Sequence, residues 1–521
     1  MLKYGVFSAN EWLYPDTDVN LGKDEISIFA AENSIAAVQI LFDGHTEKLE
    51  IFWESENLQC PKINRLIPVF VEKNTGERGF TVEQGTSVDY ATRLAPFWVY
   101  DAMDNVDNIL KPDDSYVTAL YLRWPTDTIP KGNYSGTLYI GNKKIKVSLK
   151  IYGVRIPNAE TLRLTNWYSL ENMAKYHGAE PWSEKHWSLI EKYGRLMREA
   201  RQTDFIIQPS LFEYERTKEG YVFDFSKAER FIKLYLSLGF TYIEGNSPIV
   251  RETWEAKTFI VKINDKNHTA LSEEGLCFLE SFFKSWYMFL NKNGWLSITQ
   301  QHVADEPHND CAIEYQILAG KIKGWMPNVP IVEAVEILDL NEIDVFVPKN
   351  NTYSEELKKI EKIRNSGKTI WYYTCCCPGG KYLNRLLDQE LLRTRYLHWA
   401  NSLYDIKGYL HWGLNYYDYT DDPFGGHAGV IETLNTTPLP CGDSHIVYPK
   451  EDRVLRSVRL EMMRAGIEDY ELLNILKTKD ETKYNKIMKM CVRSFTDYET
   501  DTIAFENAYK RLLEEFERYT I

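Results

Sequence analysis

Two adjacent carboxylates, Asp305 and Glu306, stand in the segment QQHVADEPHND and are followed directly by Pro307. In a partly buried cleft, an ionised Asp305 raises the pKa of Glu306, because the two negative charges repel each other. A glutamic acid that keeps its proton near neutral pH can act as a general acid. We expect Pro307 to disfavour the α region for Glu306 and to hold it extended. The pair predicts acid–base chemistry, and a polar loop is the alternative interpretation.

The carboxylate pair lies at the end of the fourth of eight apolar β-type runs that alternate with helical patterns from about residue 162. These runs are 163–170, 204–210, 241–248, 296–307, 329–337, 343–350, 368–376 and 407–417. Eight β/α repeats over roughly 250 residues predict a (β/α)8 (TIM) barrel, whose chemistry lies at the C-terminal ends of the strands. The connection between the fifth and sixth runs is too short for a long helix.

Helical patterns separate most of these runs. In the segment 224–239, DFSKAERFIKLYLSLG, the apolar residues recur at helical spacing. Ser226 and Glu229 have the spacing of a capping box, and Gly239 is expected to end the helix. The segments around residues 272–294 and 388–405 have the same character.

Polar and aromatic side chains cluster where the predicted barrel strands end. The first strand offers Asn166 and Trp167, the second Gln208, the seventh Trp371, Tyr372 and Tyr373, and the eighth His411, Trp412, Asn415, Tyr416 and Tyr417. Amide groups bind sugar hydroxyls, and flat aromatic rings stack on the apolar face of a pyranose. Because side chains alternate along a strand, about half of these aromatics are expected to pack against helices instead.

The chain has 521 residues, which indicates several domains. Residues 1–157 read as strands without a long amphipathic helix, and Gly141-Asn142 supplies a tight turn between two alternating runs. We therefore predict an N-terminal β-sandwich over 1–157 and a catalytic (β/α)8 barrel over 158–450. A C-terminal helical extension, 451–521, is expected to pack on the barrel.

The charge and hydropathy patterns exclude several classes of partner. The net charge is −14, and no dense run of Lys and Arg is present, so we expect no nucleic-acid binding. No run of 18 apolar residues occurs, so we expect no membrane insertion. The N-terminal segment has no signal-peptide pattern, which makes the cytoplasm the simplest compartment unless a leader was removed. The oligomeric state stays open.

Metal and cofactor chemistry has little support in the sequence. Three of the eight cysteines form the run Cys375–Cys377, and three adjacent thiols are expected to reach one metal ion only with difficulty. His302, His411 and His445 do not have ligand spacing. No glycine-rich phosphate loop and no G-x-S-x-G motif occurs. We predict neither a metal nor a cofactor.

Three further stretches carry a family resemblance. HVADEP, GYLHWGLNYYDYTDDPFGG and IVYPKEDRVLRSVRLEMMRAGIEDYELL together resemble family 123 of the glycoside hydrolases. The resemblance covers about residues 160–475, and the N-terminal part matches only in its β character and final hairpin. Lys450 stands where the family pattern has a glycine. The resemblance implies the sandwich-and-barrel architecture and β-N-acetylgalactosaminidase activity.

The resemblance also implies a mechanism in which the substrate's own 2-acetamido oxygen attacks C1. Glu306 is then the general acid and later the base, and Asp305 orients the acetamido group and stabilises the developing positive charge. Trp371, Tyr373 and Trp412 are the expected walls of the acetamido pocket, and Tyr448 is expected to reach the acetamido oxygen. Arg459, Arg464, Glu468 and Asp469 are expected to brace the barrel through ion pairs.

The implied substrate is a terminal β-GalNAc residue on an oligosaccharide or a glycolipid glycan, cleaved from the chain end with retention. Two alternatives stay open. A β-N-acetylglucosaminidase differs only at the 4-hydroxyl contact, and a non-catalytic carbohydrate-binding barrel would not need the intact carboxylate pair.

Overall fold

The computed structural model describes residues 2–43, 47–111, 117–420, 422–425, 428–430 and 438–518. The described residues of the N-terminal part form ten strands in two sheets. They are β1 (Tyr4–Ser8), β2 (Ile26–Glu32), β3 (Ile35–Asp43), β4 (Leu49–Glu54), β5 (Lys62–Val71), β6 (Phe97–Asn105), β7 (Ile109–Leu110), β8 (Val117–Pro125), β9 (Gly132–Ile140) and β10 (Lys143–Arg155). The expected hairpin is β9–β10, and Gly141 takes φ +55° in its turn.

The two sheets form a β-sandwich, as predicted. One has the order β2-β10-β9-β4-β7, and the other begins β1-β3-β8-β5-β6. Alternating apolar residues from both sheets fill the space between them, among them Ile40, Leu122, Leu138 and Val147. Burial of one face of each sheet is the reason for the period-two pattern of these segments.

The remaining strands follow residue 157. They are β11 (Arg163–Asn166), β12 (Asp204–Ile206), β13 (Glu213–Thr217), β14 (Gly220–Asp224), β15 (Tyr242–Gly245), β16 (Ile249–Val250), β17 (Ile260–Ile263), β18 (Lys266–Thr269), β19 (Thr299–Gln301), β20 (Val332–Val335), β21 (Val345–Pro348), β22 (Thr369–Ile370), β23 (Tyr372–Tyr373), β24 (Gly408–His411), β25 (Ala428–Val430), β26 (Pro438–Leu439), β27 (Tyr448–Lys450) and β28 (Arg453–Ser457).

Eight parallel strands close into the predicted barrel. β12, β15 and β19 pair in parallel, as do β20, β21 and β22, and as do β23, β24 and β11. Parallel bridges join Gln301 to Ile331 and Lys349 to Tyr373. The backbone N–H of Thr203 donates to the Leu164 carbonyl, which connects β11 to β12. The seventh strand is divided at Trp371, so β22 pairs with β21 and β23 pairs with β24.

Eleven α-helices of the described residues surround and follow the barrel. They are α1 (Leu170–Lys175), α2 (Glu184–Glu199), α3 (Ser226–Ser237), α4 (Glu273–Lys292), α5 (Ala312–Trp325), α6 (Asn350–Glu355), α7 (Leu357–Asn365), α8 (Leu391–Leu403), α9 (Val458–Lys479), α10 (Glu481–Cys491) and α11 (Thr502–Glu517). The described chain has no helix between β20 and β21, in line with their short connection. None of the described helices is both long and apolar enough to cross a membrane.

Two local predictions are wrong. The capping box is absent at α3, because Ser226 lies inside the helix and its backbone N–H donates to Asp224 Oδ1 (2.8 Å). Gly239 does follow the helix end, with φ +97°. The fourth barrel strand is only Thr299–Gln301, and residues 296–298 form a 3₁₀ turn, so the carboxylate pair lies beyond the strand in a loop.

Helix α9 ties the barrel to the sandwich through buried ion pairs, which confirms its predicted bracing role. Arg459 binds Asp101 of β6 (2.9 Å), and Asp469 binds Arg395 of α8 (2.6 Å). The hairpin β27–β28 just before α9 joins the sandwich sheet beside β6, although it follows the barrel in sequence. The boundary predicted at 450–451 therefore falls within the turn of this hairpin.

Candidate active site

A cavity of about 440 Å³ opens at the C-terminal ends of the barrel strands and is lined by both carboxylates of the pair. Its other lining side chains include Trp167, Trp254, Glu336, Lys349, Tyr373, Cys375, Cys376, Cys377, Trp412, Tyr416 and Asp443. A larger cleft of about 810 Å³ lies between the sandwich and α2 and contains neither carboxylate of the pair. The smaller cavity is the candidate site because polar and aromatic groups converge there at the barrel's catalytic end.

The loop holding the carboxylates has an unusual backbone. Glu306 takes φ +47°, so the prediction that Pro307 holds it extended is wrong. A following proline disfavours the right-handed α region for Glu306 but leaves positive φ open to it. The backbone N–H of Glu306 donates to the Ala334 carbonyl (3.1 Å). Residues other than glycine seldom adopt positive φ, and such strain clusters at functional sites. Arg251 donates to the Asp305 carbonyl (3.1 Å) on the other side of the loop.

Glu333 of β20 fixes the chain that leads into the carboxylate pair. Its Oε2 accepts hydrogen bonds from the backbone N–H groups of Val303 (2.8 Å) and Ala304 (2.9 Å). Its Oε1 lies 3.0 Å from His302 Nδ1. Glu333 is fully buried, so these contacts are shielded from water and hold the loop in one position.

His302 is a buried cation behind the carboxylate pair. Burial disfavours its charged form, but Glu244 and Glu333 outweigh that effect and raise its pKa to about 10. Glu244 also accepts a hydrogen bond from Trp167 Nε1 (2.9 Å), which orients that ring at the cavity. The positive charge of His302 opposes protonation of Asp305 and lowers the pKa of that carboxyl relative to what burial alone would give.

The protein environment gives the two carboxyl groups different pKa values. Asp305 has an exposed surface, but this surface faces the cavity, and the surrounding protein together with Glu333 raises its pKa to about 6. Glu306 is buried, and desolvation and the charge of Asp305 raise its pKa further, to about 8. Near neutral pH the site therefore holds an ionised Asp305 beside a protonated Glu306. This difference in pKa makes Asp305 the anion and Glu306 the proton donor.

A protein-family model matches the part of the chain that contains most of the barrel. The model of the glycoside hydrolase 123 catalytic domain matches residues 167–476, more than half of the chain. The chain belongs to glycoside hydrolase family 123. It is therefore a glycoside hydrolase, as the sequence resemblance implied.

One solved structure similar to this family 123 chain supports the fold. A family 123 glycoside hydrolase from Clostridium perfringens, described in terms of glycolipid glycan hydrolysis, has a TM-score of 0.73 at 15% identity and covers 100% of this chain and 99% of its own. A family 10 xylanase from Thermobacillus composti has a TM-score of 0.32 at 11% identity, covering 59% of this chain and 96% of its own. No match was found among curated proteins.

Three of the sequence-predicted binding residues lie in the cavity of this family 123 hydrolase. Trp167, Tyr373 and Trp412 line it, and the hydroxyl group of Tyr373 donates a hydrogen bond to Glu306 Oε1. Trp412 Nε1 is 3.3 Å from both carboxylate oxygens of Asp443, which holds the indole ring at the cavity wall.

Trp371 and Tyr448, two further predicted pocket residues, do not line the cavity. Trp371 faces the barrel interior like Tyr373, but one layer deeper, where it packs against Gly408 and lies under Arg163. Tyr448 lies in β27, buried in the cluster between the sandwich sheet and helices α8 and α9, and donates to Asp101 (2.6 Å). Because β27 joins the sandwich sheet, Tyr448 does not reach into the cavity from the long loop.

The three predicted amide ligands are engaged in structural hydrogen bonds outside the cavity. Asn166 accepts from Arg385 (2.9 Å), and Gln208 donates to a backbone carbonyl in the loop after β11 (2.8 Å). Asn415 accepts from the N–H of Ser169 (2.8 Å) and donates to its carbonyl (3.0 Å). These contacts join neighbouring loops at the barrel mouth.

Sequence reasoning missed several cavity residues. Glu336 and Lys349 follow the fifth and sixth barrel strands directly and form an ion pair there. Their positions at the ends of barrel strands could have identified them as cavity residues. Trp254 lies in the excursion after β15, and Asp443 lies in the long loop after β24, where no strand periodicity marks a residue's position.

Tyr373→Phe should shift the alkaline limb of the pH–rate profile upward and lower kcat by roughly tenfold. The hydroxyl hydrogen bond lowers the pKa of Glu306, so its removal raises that pKa. A hydrogen bond to a charged group contributes about 1.5–3 kcal/mol. The matched control is Tyr372→Phe, because Tyr372 points to the helices and donates to the Leu397 carbonyl. An unchanged alkaline limb in Tyr373→Phe, measured as kcat/KM against pH, would contradict the contact.

Proposed function

We propose that this family 123 hydrolase is an exo-acting, retaining β-N-acetylgalactosaminidase that removes terminal β-GalNAc from glycans by substrate-assisted catalysis. The observation that carries the proposal is the adjacent pair Asp305 and Glu306, which face one cavity with separated pKa values. Adjacent carboxylates suit a reaction in which the acetamido group and the leaving oxygen occupy neighbouring positions on one sugar. The relative from Clostridium perfringens, described by glycolipid glycan hydrolysis, favours glycolipid glycans as the substrate class.

In the proposed mechanism, Glu306 protonates the glycosidic oxygen as the C1–O bond breaks. The acetamido carbonyl oxygen attacks C1 from the opposite face and forms an oxazolinium-type intermediate. Ionised Asp305 accepts the acetamido N–H and stabilises the positive charge on that group. Glu306, now a base, removes a proton from the water that opens the intermediate, and two inversions at C1 give net retention.

The cavity is suited to one terminal sugar. Its volume of about 440 Å³ lies within the range of about 300–1,000 Å³ that small-molecule sites occupy. Trp167, Tyr373 and Trp412 supply flat surfaces for the apolar face of a pyranose and for the acetamido methyl group. These features support binding at a chain end over binding along an extended chain.

The pH dependence of kcat/KM should be bell-shaped between the two raised pKa values. Activity requires ionised Asp305, so it falls as pH drops through about 6. Activity also requires protonated Glu306, so it falls as pH rises through about 8. The two limbs belong to the coupled pair rather than to single residues. A profile that stays flat from pH 5 to about 9 would contradict this assignment.

The direct test of the function is hydrolysis of chromogenic β-GalNAc and β-GlcNAc glycosides that carry the same leaving group. The proposal expects cleavage of the β-GalNAc glycoside with the higher kcat/KM and a β-configured product at early times by NMR. Preference for β-GlcNAc would assign a β-N-acetylglucosaminidase. Binding of GalNAc without cleavage of either glycoside would assign a non-catalytic carbohydrate-binding barrel.

A further inference from the structure

Three consecutive cysteines form one wall of the cavity. Cys375, Cys376 and Cys377 follow β23, and all three line the cavity beside Lys349. Their three Sγ atoms lie within 4.8 Å of one another, and Cys375 Sγ is 3.7 Å from Cys377 Sγ. The proposed glycosidase mechanism assigns no role to any of these thiols.

The backbone around the thiols is held by contacts from two domains. Asn384 donates to the carbonyl oxygens of Cys375 (2.8 Å) and Pro378 (3.3 Å). The sandwich contributes the N–H of Phe80, which donates to the Cys376 carbonyl (3.1 Å). The relative positions of the three side chains are therefore set by the fold rather than by a free loop.

The spacing of the sulfur atoms fits a metal ion better than the sequence indicated. Two thiolates bound to one tetrahedral Zn²⁺ at about 2.3 Å lie about 3.8 Å apart, close to the 3.7 Å between Cys375 and Cys377. Thiolates are soft ligands that favour Zn²⁺ and related thiophilic cations. The expectation that three adjacent thiols reach one ion only with difficulty does not hold for this turn.

We infer that Cys375, Cys376 and Cys377 bind one thiophilic divalent cation, of the class of Zn²⁺ and Cd²⁺, with its fourth position open to the cavity. The carboxylate of Asp443 lines the same cavity and favours entry of a cation, while that of Glu336 is paired with Lys349. A bound ion lies against the space that the sugar needs and blocks it. The inhibition rests on the proposed function, whereas the binding does not.

The binding test uses the full chain, reduced and freed of metal by chelation, titrated with Cd²⁺ as the probe. Thiolate-to-metal charge-transfer absorption should rise to a plateau at one equivalent. The variant Cys375→Ser/Cys376→Ser/Cys377→Ser should lose this band, and Cys60→Ser, which removes an exposed thiol outside the cavity, should keep it. A band that persists in the triple variant, or no saturable band in the native chain, overturns the inference.

A second measurement needs no variant and is independent of how the triple variant folds. Bound Cd²⁺ should protect the three cysteines from alkylation by iodoacetamide, as mapped by mass spectrometry, while Cys60 reacts equally with and without the ion. Equal labelling of Cys375–Cys377 in both conditions contradicts the site. Inhibition is read separately with a β-GalNAc glycoside, where Cd²⁺ should raise the apparent KM. A charge-transfer band without any glycosidase activity would uphold the metal site and refute the proposed function.

Discussion

Glu306→Gln lowers kcat/KM for a natural glycoside by about 10²–10⁴-fold, the usual contribution of a general acid. The amide has nearly the same shape as the acid but cannot donate a proton to the leaving oxygen. A nitrophenyl glycoside should lose much less activity, because its leaving group departs without protonation. The measurement is kcat/KM of the variant for two β-GalNAc glycosides that differ only in the leaving group.

The control for Glu306→Gln is Glu361→Gln, which makes the same change on the exposed face of α7, away from the cavity. Glu361→Gln should match the wild type on both substrates. Thermal unfolding of Glu306→Gln should remain cooperative, since the neutral amide replaces a buried carboxyl that is already protonated near neutral pH. Full activity of Glu306→Gln on the poor leaving group would remove Glu306 from the role of the acid.

Asp305→Asn lowers kcat by a similar order, about 10²–10⁴-fold, because a neutral amide stabilises an oxazolinium charge far less than an anion does. The substitution has a second, independent effect. The charge of Asp305 raises the pKa of Glu306, so neutralising it lowers that pKa and moves the alkaline limb of the pH profile downward. Both effects are measured from kcat and kcat/KM across the pH range.

Asp310→Asn is the matched control for Asp305→Asn. Asp310 stands in the same loop, is exposed, and forms a solvent-accessible ion pair with Lys257 (3.3 Å). Exposed pairs of this kind contribute little to stability, so this variant should behave like the wild type. Activity of Asp305→Asn within a few-fold of the wild type, with an unmoved alkaline limb, would exclude Asp305 from the mechanism.

The barrel and the carboxylate pair were predictable because their signals are local. Apolar runs alternate with helical patterns along the chain, which predicts a barrel. A closed barrel brings the C-terminal ends of all its strands to one face. The position of Asp305 and Glu306 at the end of the fourth run was therefore enough to place them at the catalytic end of the barrel. The buried support behind them was not visible, because Glu333 and Glu244 lie far from the pair in sequence.

The cavity walls were only partly predictable, because strand alternation gives the face of a residue but not its depth. Trp371, Tyr373 and Cys375 all point into the barrel, at successive layers. Trp371 is part of the barrel core, Tyr373 contacts Glu306, and Cys375 lines the cavity. Tyr448 lies outside the cavity for another reason: its hairpin β27–β28 joins β6 of the distant sandwich through β28, a long-range contact that no local pattern reports.

The central claim is that the substrate supplies its own nucleophile. It is tested most directly by the ratio of kcat/KM for a chromogenic β-GalNAc glycoside to that for the β-galactoside with the same leaving group. Well-oriented intramolecular groups reach effective molarities of about 10⁵–10⁸ M, so loss of the acetamido group should slow cleavage by at least about 10³-fold. Comparable cleavage of the plain galactoside, with a fluorosugar trapped covalently on a cavity carboxylate such as Glu336 or Asp443, would contradict the account.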